Sequence, residues 1–492
     1  MPALLASGGP STVDRHDDGR STPTSPRYDR FMSSHRKGGA ADPSSVSFWM
    51  SRAVRPERSA LDGDRDVDVC ILGAGYTGLW SAYFLARADP RLRIAVVEKE
   101  HVGYGASGRN GGWASAELAG MDRMLADPDT RDGMVRTHRE MIRTVGEMGE
   151  VVAAEGIDCG LVHGGTVVAA TRPGHVPRLK ASIEVAHRAG FGESDLRWLE
   201  PAEAARHVAP SRLFGASFTP HCAAVDPARL VLGLAAAAER RGVVVYERTP
   251  GRIVSGGVWT PGGMIRADRV VQAVEAYRTR LGGQRRRVIP VYSLMVMTAP
   301  IPAATWDQIG LRGRETFSDG RHLIIYGQRT ADDRMAFGGR GAPYHYGSAI
   351  EPSFDRDPRT FDFLRKTLVD LFPVLAGVGF EGEWGGPLAI PRDWRPAITV
   401  DGPVITAGSY VGQGVAAAHL AGKTVRDLVR ETESDLVHLP WVGHRARKWE
   451  PEPLRWVGVN LGRKLTESMD RTEDAGRRPR LRQALFDRLP VG

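Results

Sequence analysis

Residues 66–112, DVDVCILGAGYTGLWSAYFLARADPRLRIAVVEKEHVGYGASGRNGG, constrain the fold more than any other part of the chain. Residues 67–72 are a short apolar run rich in β-branched side chains, which predicts a buried parallel strand. The run enters Gly73, Ala74, Gly75, Tyr76, Thr77 and Gly78, which have the G-x-G-x-x-G spacing. The first glycine permits a tight turn, the second lets a pyrophosphate approach the backbone, and the third lets the following helix close on the strand. That helix, predicted over residues 76–87, aims its positive end and its free N–H groups at phosphate. A second apolar strand at 94–97 ends in Glu98 and Lys99. An acid about 20 residues past the last glycine accepts both hydroxyls of an adenosine ribose and disfavours a 2′-phosphate.

The βαβ unit alone does not separate NAD from FAD. Gly105, Ala106, Ser107, Gly108, Arg109, Asn110, Gly111 and Gly112 follow the ribose acid within a few residues and form a second phosphate-facing loop. NAD has no need of such a loop, whereas a flavin, whose ribityl chain and ring continue past the pyrophosphate, does. The pattern therefore favours FAD and makes NADP a poor fit.

At 492 residues and 42% hydrophobic, the chain is long enough for two interleaved domains. A formal charge of +8 would permit an acidic or nucleic-acid partner. Much of the excess lies in the last fifty residues, without interleaved aromatics, so no nucleic-acid partner is expected; a basic nucleic-acid-binding protein with a Rossmann-like core is the non-enzyme alternative. Cys70, Cys159 and Cys222 are far apart, which argues against disulfides and zinc and fits a reducing cytoplasm, with no metal expected. No apolar run of about 18 residues predicts a membrane span, and no secretory leader pattern is found.

Along the chain, residues 1–44 have the composition of a disordered extension. Residues 45–175 are expected to hold the first part of an FAD-binding domain, with a helical insertion whose apolar residues recur at three-and-four spacing between 118 and 155. Residues 176–220 are read as a cap segment and 221–280 as the second part of the FAD domain, where Asp226 and Pro227 have the cap and first-turn pattern of a helix start. Alternating patterns assign 281–378 to a substrate domain on a mainly antiparallel sheet. Residues 379–435 are expected to return to the FAD domain, through a strand at 403–408 and a second glycine-rich turn, Gly408, Ser409, Tyr410, Val411, Gly412, Gln413 and Gly414. That turn aims a helix terminus at the negative charge of a reduced flavin. Residues 436–492 form a basic amphipathic tail, whose Leu454, Val457, Leu461 and Leu465 are expected to dock on apolar surface. The predicted class is α/β: a Rossmann-like parallel sheet interleaved with an antiparallel one.

The chain resembles the D-amino-acid-oxidase-like family of FAD-dependent oxidoreductases, in particular its γ-glutamylputrescine-oxidase-like branch. The resemblance rests on GAGYTGL at 73–79, GASGRNGGW at 105–113 and AGSYVGQGVAAAHLAGK at 407–423, with FGGRG at 337–341 and EWGG at 383–386 as weaker points. It implies FAD-dependent oxidation of a primary or secondary amine or an amino acid, with oxygen as usual electron acceptor and a carrier-coupled dehydrogenase as alternative. It places Gly73, Gly75, Tyr76, Thr77, Gly78, Glu98 and Lys99 at the ADP half. Gly105, Ala106, Ser107, Arg109, Asn110, Gly111, Gly112 and Ala273 fall along pyrophosphate and flavin, and Gly408, Tyr410, Gly412, Gln413 and Gly414 at the pyrimidine end. Glu275 stands where relatives often have asparagine, and Gly251 where the branch tends to have valine. Relatives that attach flavin through cysteine do so near Trp384; no cysteine follows Cys222, so non-covalent FAD is expected. Substrate-facing candidates are Arg340, whose guanidinium suits a carboxylate or phosphonate, with Tyr410 and Trp384, and then Trp113, Tyr326 and His345.

Overall fold

The computed structural model describes residues 42–477 together with 479, 481 and 482. Residues 1–41 of the expected N-terminal extension lie outside the described residues, as does part of the basic run after 477. The elements used below are β1 (Arg65–Leu72), α1 (Tyr76–Ala88), β2 (Ile94–Val97), β3 (Gly263–Gln272), β4 (Ile289–Thr298), β5 (Ile325–Arg329), β6 (Met335–Arg340), β7 (Phe380–Ile390), β8 (Val404–Gly408), α2 (Gly414–Val429) and α3 (Leu454–Asp474).

One sheet runs Ala397–Asp401, β8, β3, β1, β2, Val244–Tyr246. The pairings β1 with β2, β1 with β3 and β3 with β8 are all parallel, as the apolar runs predict. Helices α1 and α2 pack on this sheet and on each other. Gly422 of α2 lies against Trp80, whose ring meets His419 at 4.5 Å and Phe84 at 5.5 Å. Burial pulls the His419 imidazole down to about 3, so it packs as a neutral ring. Each such large side chain, removed from water, contributes about 2–3 kcal/mol. The helix Pro227–Glu239 starts as its sequence indicates, with the Asp226 carboxylate accepting from the Arg229 N–H and proline in the first turn.

The second sheet runs β7, β4, β6, β5, Thr316–Asp319, Thr166–Ala169, Ala216–Thr219, Arg197–Leu199. Its pairings are antiparallel except that between Thr316–Asp319 and Thr166–Ala169. Two local expectations change. Residues 166–169, placed by pattern in the first part of the FAD domain, belong to this sheet, and so does β7, expected to open the last return to the FAD domain. The composition of neither segment distinguishes the two sheets; pairing alone decides. Residues 263–272 form the single strand β3. It pairs antiparallel with Gly257–Thr260 on one edge and parallel with β1 on the other.

Helix α3 forms as predicted but docks the other way round. Its buried residues are Arg455, Asn460, Gly462, Met469 and Glu473, while Leu454, Val457 and Leu461 are 66%, 51% and 54% exposed. Polar contacts hold it to the second sheet and its loops. Asn460 exchanges hydrogen bonds with the Tyr344 backbone, Arg463 donates to the Gly341 carbonyl, and Asp470 accepts the His322 and Leu323 N–H groups at 2.8 and 2.9 Å. His322, Asp470 and Glu473 offer ligand atoms within 4.8 Å of one another, but Arg178 already supplies the cation there, donating to Glu473 at 2.6 Å.

Candidate active site

The three glycine segments read from sequence come together at the C-terminal ends of β1 and β8. Gly73 takes φ +108, and a methyl group there would meet the Ala273 carbonyl oxygen at 2.5 Å; one at Gly78 would overlap the Gly73 carbonyl. The first bond inside α1 runs from the Leu79 N–H to the Gly75 carbonyl, so the amides before it point out of the helix terminus. The Tyr76 N–H donates to Ser107 Oγ at 2.8 Å, which joins the first turn to the 105–112 loop. The Tyr76 ring turns away into the core and its hydroxyl donates to the Pro227 carbonyl.

Glu98 accepts the Ala74 N–H at 2.9 Å and the Glu100 N–H at 3.0 Å. Burial pushes its carboxyl up to about 7, against the lowering effect of these amides and with a smaller upward push from Glu100 and Glu247. Lys99 does not face the turn: its ammonium pairs with Glu100 at 3.0 Å and is 40% exposed.

The 105–112 loop is braced from within and from behind. Asn110 donates to the Ala106 and Ser107 carbonyls and accepts the Gly112 N–H at 2.8 Å. The buried Arg109 guanidinium pairs with Asp355 and donates to the Tyr104 and Gly385 carbonyls, so it anchors the loop to β7. Trp384 is fully buried and donates from Nε1 to the Arg109 carbonyl at 2.7 Å. It supports the loop and does not face substrate, which corrects its sequence-based place among the catalytic candidates. Gln328 was missed by sequence reading: its amide donates to the Gly111 carbonyl at 2.7 Å and to the Val225 carbonyl at 3.1 Å. Nothing in the IYGQR run marks Gln328, because the strand also carries Tyr326 and Arg329.

The second turn is built differently. Ser409 and Val411 take φ +68 and +60, left-handed conformations unfavourable to residues with side chains. Three groups from elsewhere hold them. Glu275, itself at φ +44, accepts the Ser409 N–H at 2.7 Å and the Tyr410 N–H at 3.3 Å. Arg340 donates to the Val411 carbonyl at 2.6 Å. Thr77 Oγ1 meets the Tyr410 hydroxyl at 3.0 Å, tying the two turns together. Burial pushes the Glu275 carboxyl up to about 7, opposed by its two amide partners.

Arg340 sits at the end of β6, over the Trp394 ring at 5.5 Å, and no carboxylate pairs with it among the described residues. Burial lowers the affinity of Arg340 for a proton, opposed by the nearby Tyr326. Tyr326 hydrogen-bonds Ser293 at 2.8 Å, its ring lies against Gly111 and Gly338, and Trp113 packs edge-on to it at 6.0 Å. Arg340, Tyr326, Trp113 and the two glycine segments thus form one neighbourhood. His345 stacks instead on Phe354 at 3.4 Å, beside Tyr292.

The donor set suits a flavin dinucleotide. Gln413 Oε1, buried at the N-terminus of α2, has no hydrogen-bond partner, and a flavin pyrimidine offers a ring N–H to such an acceptor. A pyrophosphate would lie at the N-terminus of α1, against Gly75 and the Ser107 hydroxyl that the Tyr76 N–H holds beside it. Residues 68–428 match the model of the family described as FAD dependent oxidoreductase. The chain belongs to that family. It is 29% identical over 421 residues to a probable oxidoreductase OrdL of Rhizobium meliloti, covering 80% of this chain and 91% of that one. It is 28% identical over 399 residues to the γ-glutamylputrescine oxidoreductase of Escherichia coli, covering 77% and 88%. Among solved structures, glycine oxidase from Geobacillus kaustophilus superposes with TM-score 0.65 at 24% identity, over 78% of this chain and all of that one.

Proposed function

We propose that the protein oxidises the C–N bond of a primary or secondary amine or an amino acid, giving an imine that hydrolyses to a carbonyl compound, with oxygen reduced to hydrogen peroxide. FAD, held without a covalent bond, supplies the two-electron acceptor for the C–H bond next to nitrogen. The observation that carries the substrate class is Arg340: a part-buried guanidinium beside the second glycine turn whose one hydrogen bond goes to a carbonyl. It suits a carboxylate or another planar anion. Curated relatives of comparable length include a γ-glutamylputrescine oxidoreductase and glycine oxidases, which supports an amine donor.

In this reading Gly73, Gly75, Gly78 and Glu98 hold the ADP half, and the Ser107 and Asn110 to Gly112 backbone lines the route to the flavin. Gly412, Gln413 and the α2 terminus meet its pyrimidine end. Tyr326 and Trp113 wall the substrate space, and Arg340 orients an anionic substrate so that its α carbon, and not its charged end, meets the cofactor. Tyr410, its hydroxyl engaged by Thr77, shapes that wall by packing alone. The test is a panel of amines and amino acids assayed for peroxide, with a dye acceptor in parallel and flavin absorbance followed anaerobically. Bleaching by an amine, with peroxide on readmission of air, is the expected result. A purified protein that is colourless, and whose Tm is unmoved by added FAD, would sink the proposal.

A further inference from the structure

We propose that Trp394 is a specificity-determining residue, whose indole N–H donates to the same substrate carboxylate that Arg340 binds. The inference rests on the anion-binding reading of Arg340 given above. Trp394 carries two unfavourable features at once. Its backbone takes φ +60, a left-handed conformation that disfavours a bulky side chain. Its Nε1–H is buried without a hydrogen-bond partner, which leaves a donor desolvated and unanswered. The fold nevertheless fixes the residue in place. The Trp394 backbone N–H donates to the Pro391 carbonyl at 3.2 Å. Ion pairs on the two preceding residues, Arg392 with Glu450 at 3.0 Å and Asp393 with His444 at 2.6 Å, brace the turn. Strain held by its surroundings in this way gathers where a ligand is clamped.

What lies beside Trp394 identifies the ligand. Its ring packs against the apolar cluster that contains Ile390 and Val411, and the Arg340 guanidinium lies over it at 5.5 Å. That guanidinium donates to the Val411 carbonyl and approaches Gly412, at the second glycine turn. Other indole N–H groups among the described residues also lack a partner, but Arg340 stacks on Trp394 and on none of them. A guanidinium with unused N–H groups next to an unanswered indole N–H is a set of donors without an acceptor. A carboxylate brings two oxygens and a negative charge, enough to answer both residues. An amide or ester has one strong acceptor and no charge, and a second ammonium has no acceptor and meets repulsion from Arg340. The pair therefore selects an amine that carries a carboxylate over a simple amine or diamine.

The experiment titrates the full-length, FAD-loaded protein with propanoate and with propanamide, which has the same shape without the charge, and follows flavin absorbance. Wild type should prefer propanoate by about tenfold or more. Trp394→Phe keeps a ring beneath the guanidinium and removes the N–H. It should weaken propanoate binding about tenfold and leave the ligand-free Tm near that of wild type, because the deleted N–H satisfies nothing within the fold. Trp394→His, measured at about pH 8 so that its imidazole is neutral, retains a ring N–H and should recover part of the loss. Equal losses in the two variants, or a Tm several degrees lower in both, would make the ring a structural brace and overturn the proposal. If Arg340→Met weakens propanoate and Trp394→Phe does not, this inference fails and the anion reading of Arg340 stands. If wild type binds propanoate no better than propanamide, both fail.

Discussion

The two glycine-rich strand-to-helix turns do the same geometric job by different means. In the first, left-handed backbone falls on Gly73, and Gly78 closes helix on strand with nothing but its own neighbours involved. In the second, Gly408 and Gly412 share the left-handed region with Ser409 and Val411, at a cost of about 1–3 kcal/mol for each residue with a side chain. Glu275, Arg340 and Thr77, from three other elements, hold it in place. The first turn draws its side-chain partners from its own βαβ unit and the loop that follows, Glu98 and Ser107, with Ala273 behind Gly73, whereas the second depends on groups brought from three separate elements.

That contrast can be broken at either end. The largest effect is expected from Gly78→Val, whose side chain overlaps the Gly73 carbonyl: about 3 kcal/mol of stability and loss of yellow colour, read by thermal melting and flavin absorbance. Next, Arg340→Met removes a charge-assisted anchor worth about 3 kcal/mol. It should lower kcat/KM for a carboxylate substrate by about a hundredfold while sparing an uncharged amine, if both prove to be substrates. Equal losses on both would make Arg340 a brace of the turn and not a substrate contact.

Glu275→Ala leaves the Ser409 and Tyr410 amides without their acceptor, at about 2 kcal/mol. The expected outcome is weaker FAD retention by fluorescence titration, with Glu275→Gln restoring most of it. The same residue gives a pH test. Its folded-state value of about 7 lies above the ordinary carboxylate value of 4.5, so the folded protein favours the neutral acid. Its contribution is fully present below about pH 4.5 and is lost as pH rises toward and through 7. The Tm of wild type relative to Glu275→Gln should therefore fall across that window, and a flat difference would show that Glu275 does not titrate there. The smallest effect is a gain: Ser409→Gly relieves a left-handed residue without emptying a core site and should raise the Tm of the apoprotein by about one to two degrees, for a stabilisation of about 1 kcal/mol.

Much of the site was legible because its elements are local. Strand, turn, helix, strand and acid follow one another within residues 66–98, and the glycine spacing needs only its own backbone to be understood. Asp226 and Pro227 announced a helix start for the same reason. Trp384 misled because its motif position was informative and its direction was not: a single aromatic in a strand faces core or cleft according to the partner strand. Lys99, expected at the ADP half, turns its side chain to its neighbour Glu100.

By itself the sequence determined a dinucleotide-binding βαβ unit, a second cofactor loop and an antiparallel partner sheet, since periodicity and glycine spacing are written in consecutive residues. Only the tertiary structure decided that Phe380–Ile390 joins the second sheet, that Glu275 clasps amides 134 and 135 residues away, and that α3 turns Leu454 and Leu461 outward with Leu465 half-buried. Helical spacing defines two faces but not which one is covered. That choice goes to whichever face finds partners, and on α3 the hydrogen bonds of Asn460, Asp470 and Glu473 found them first.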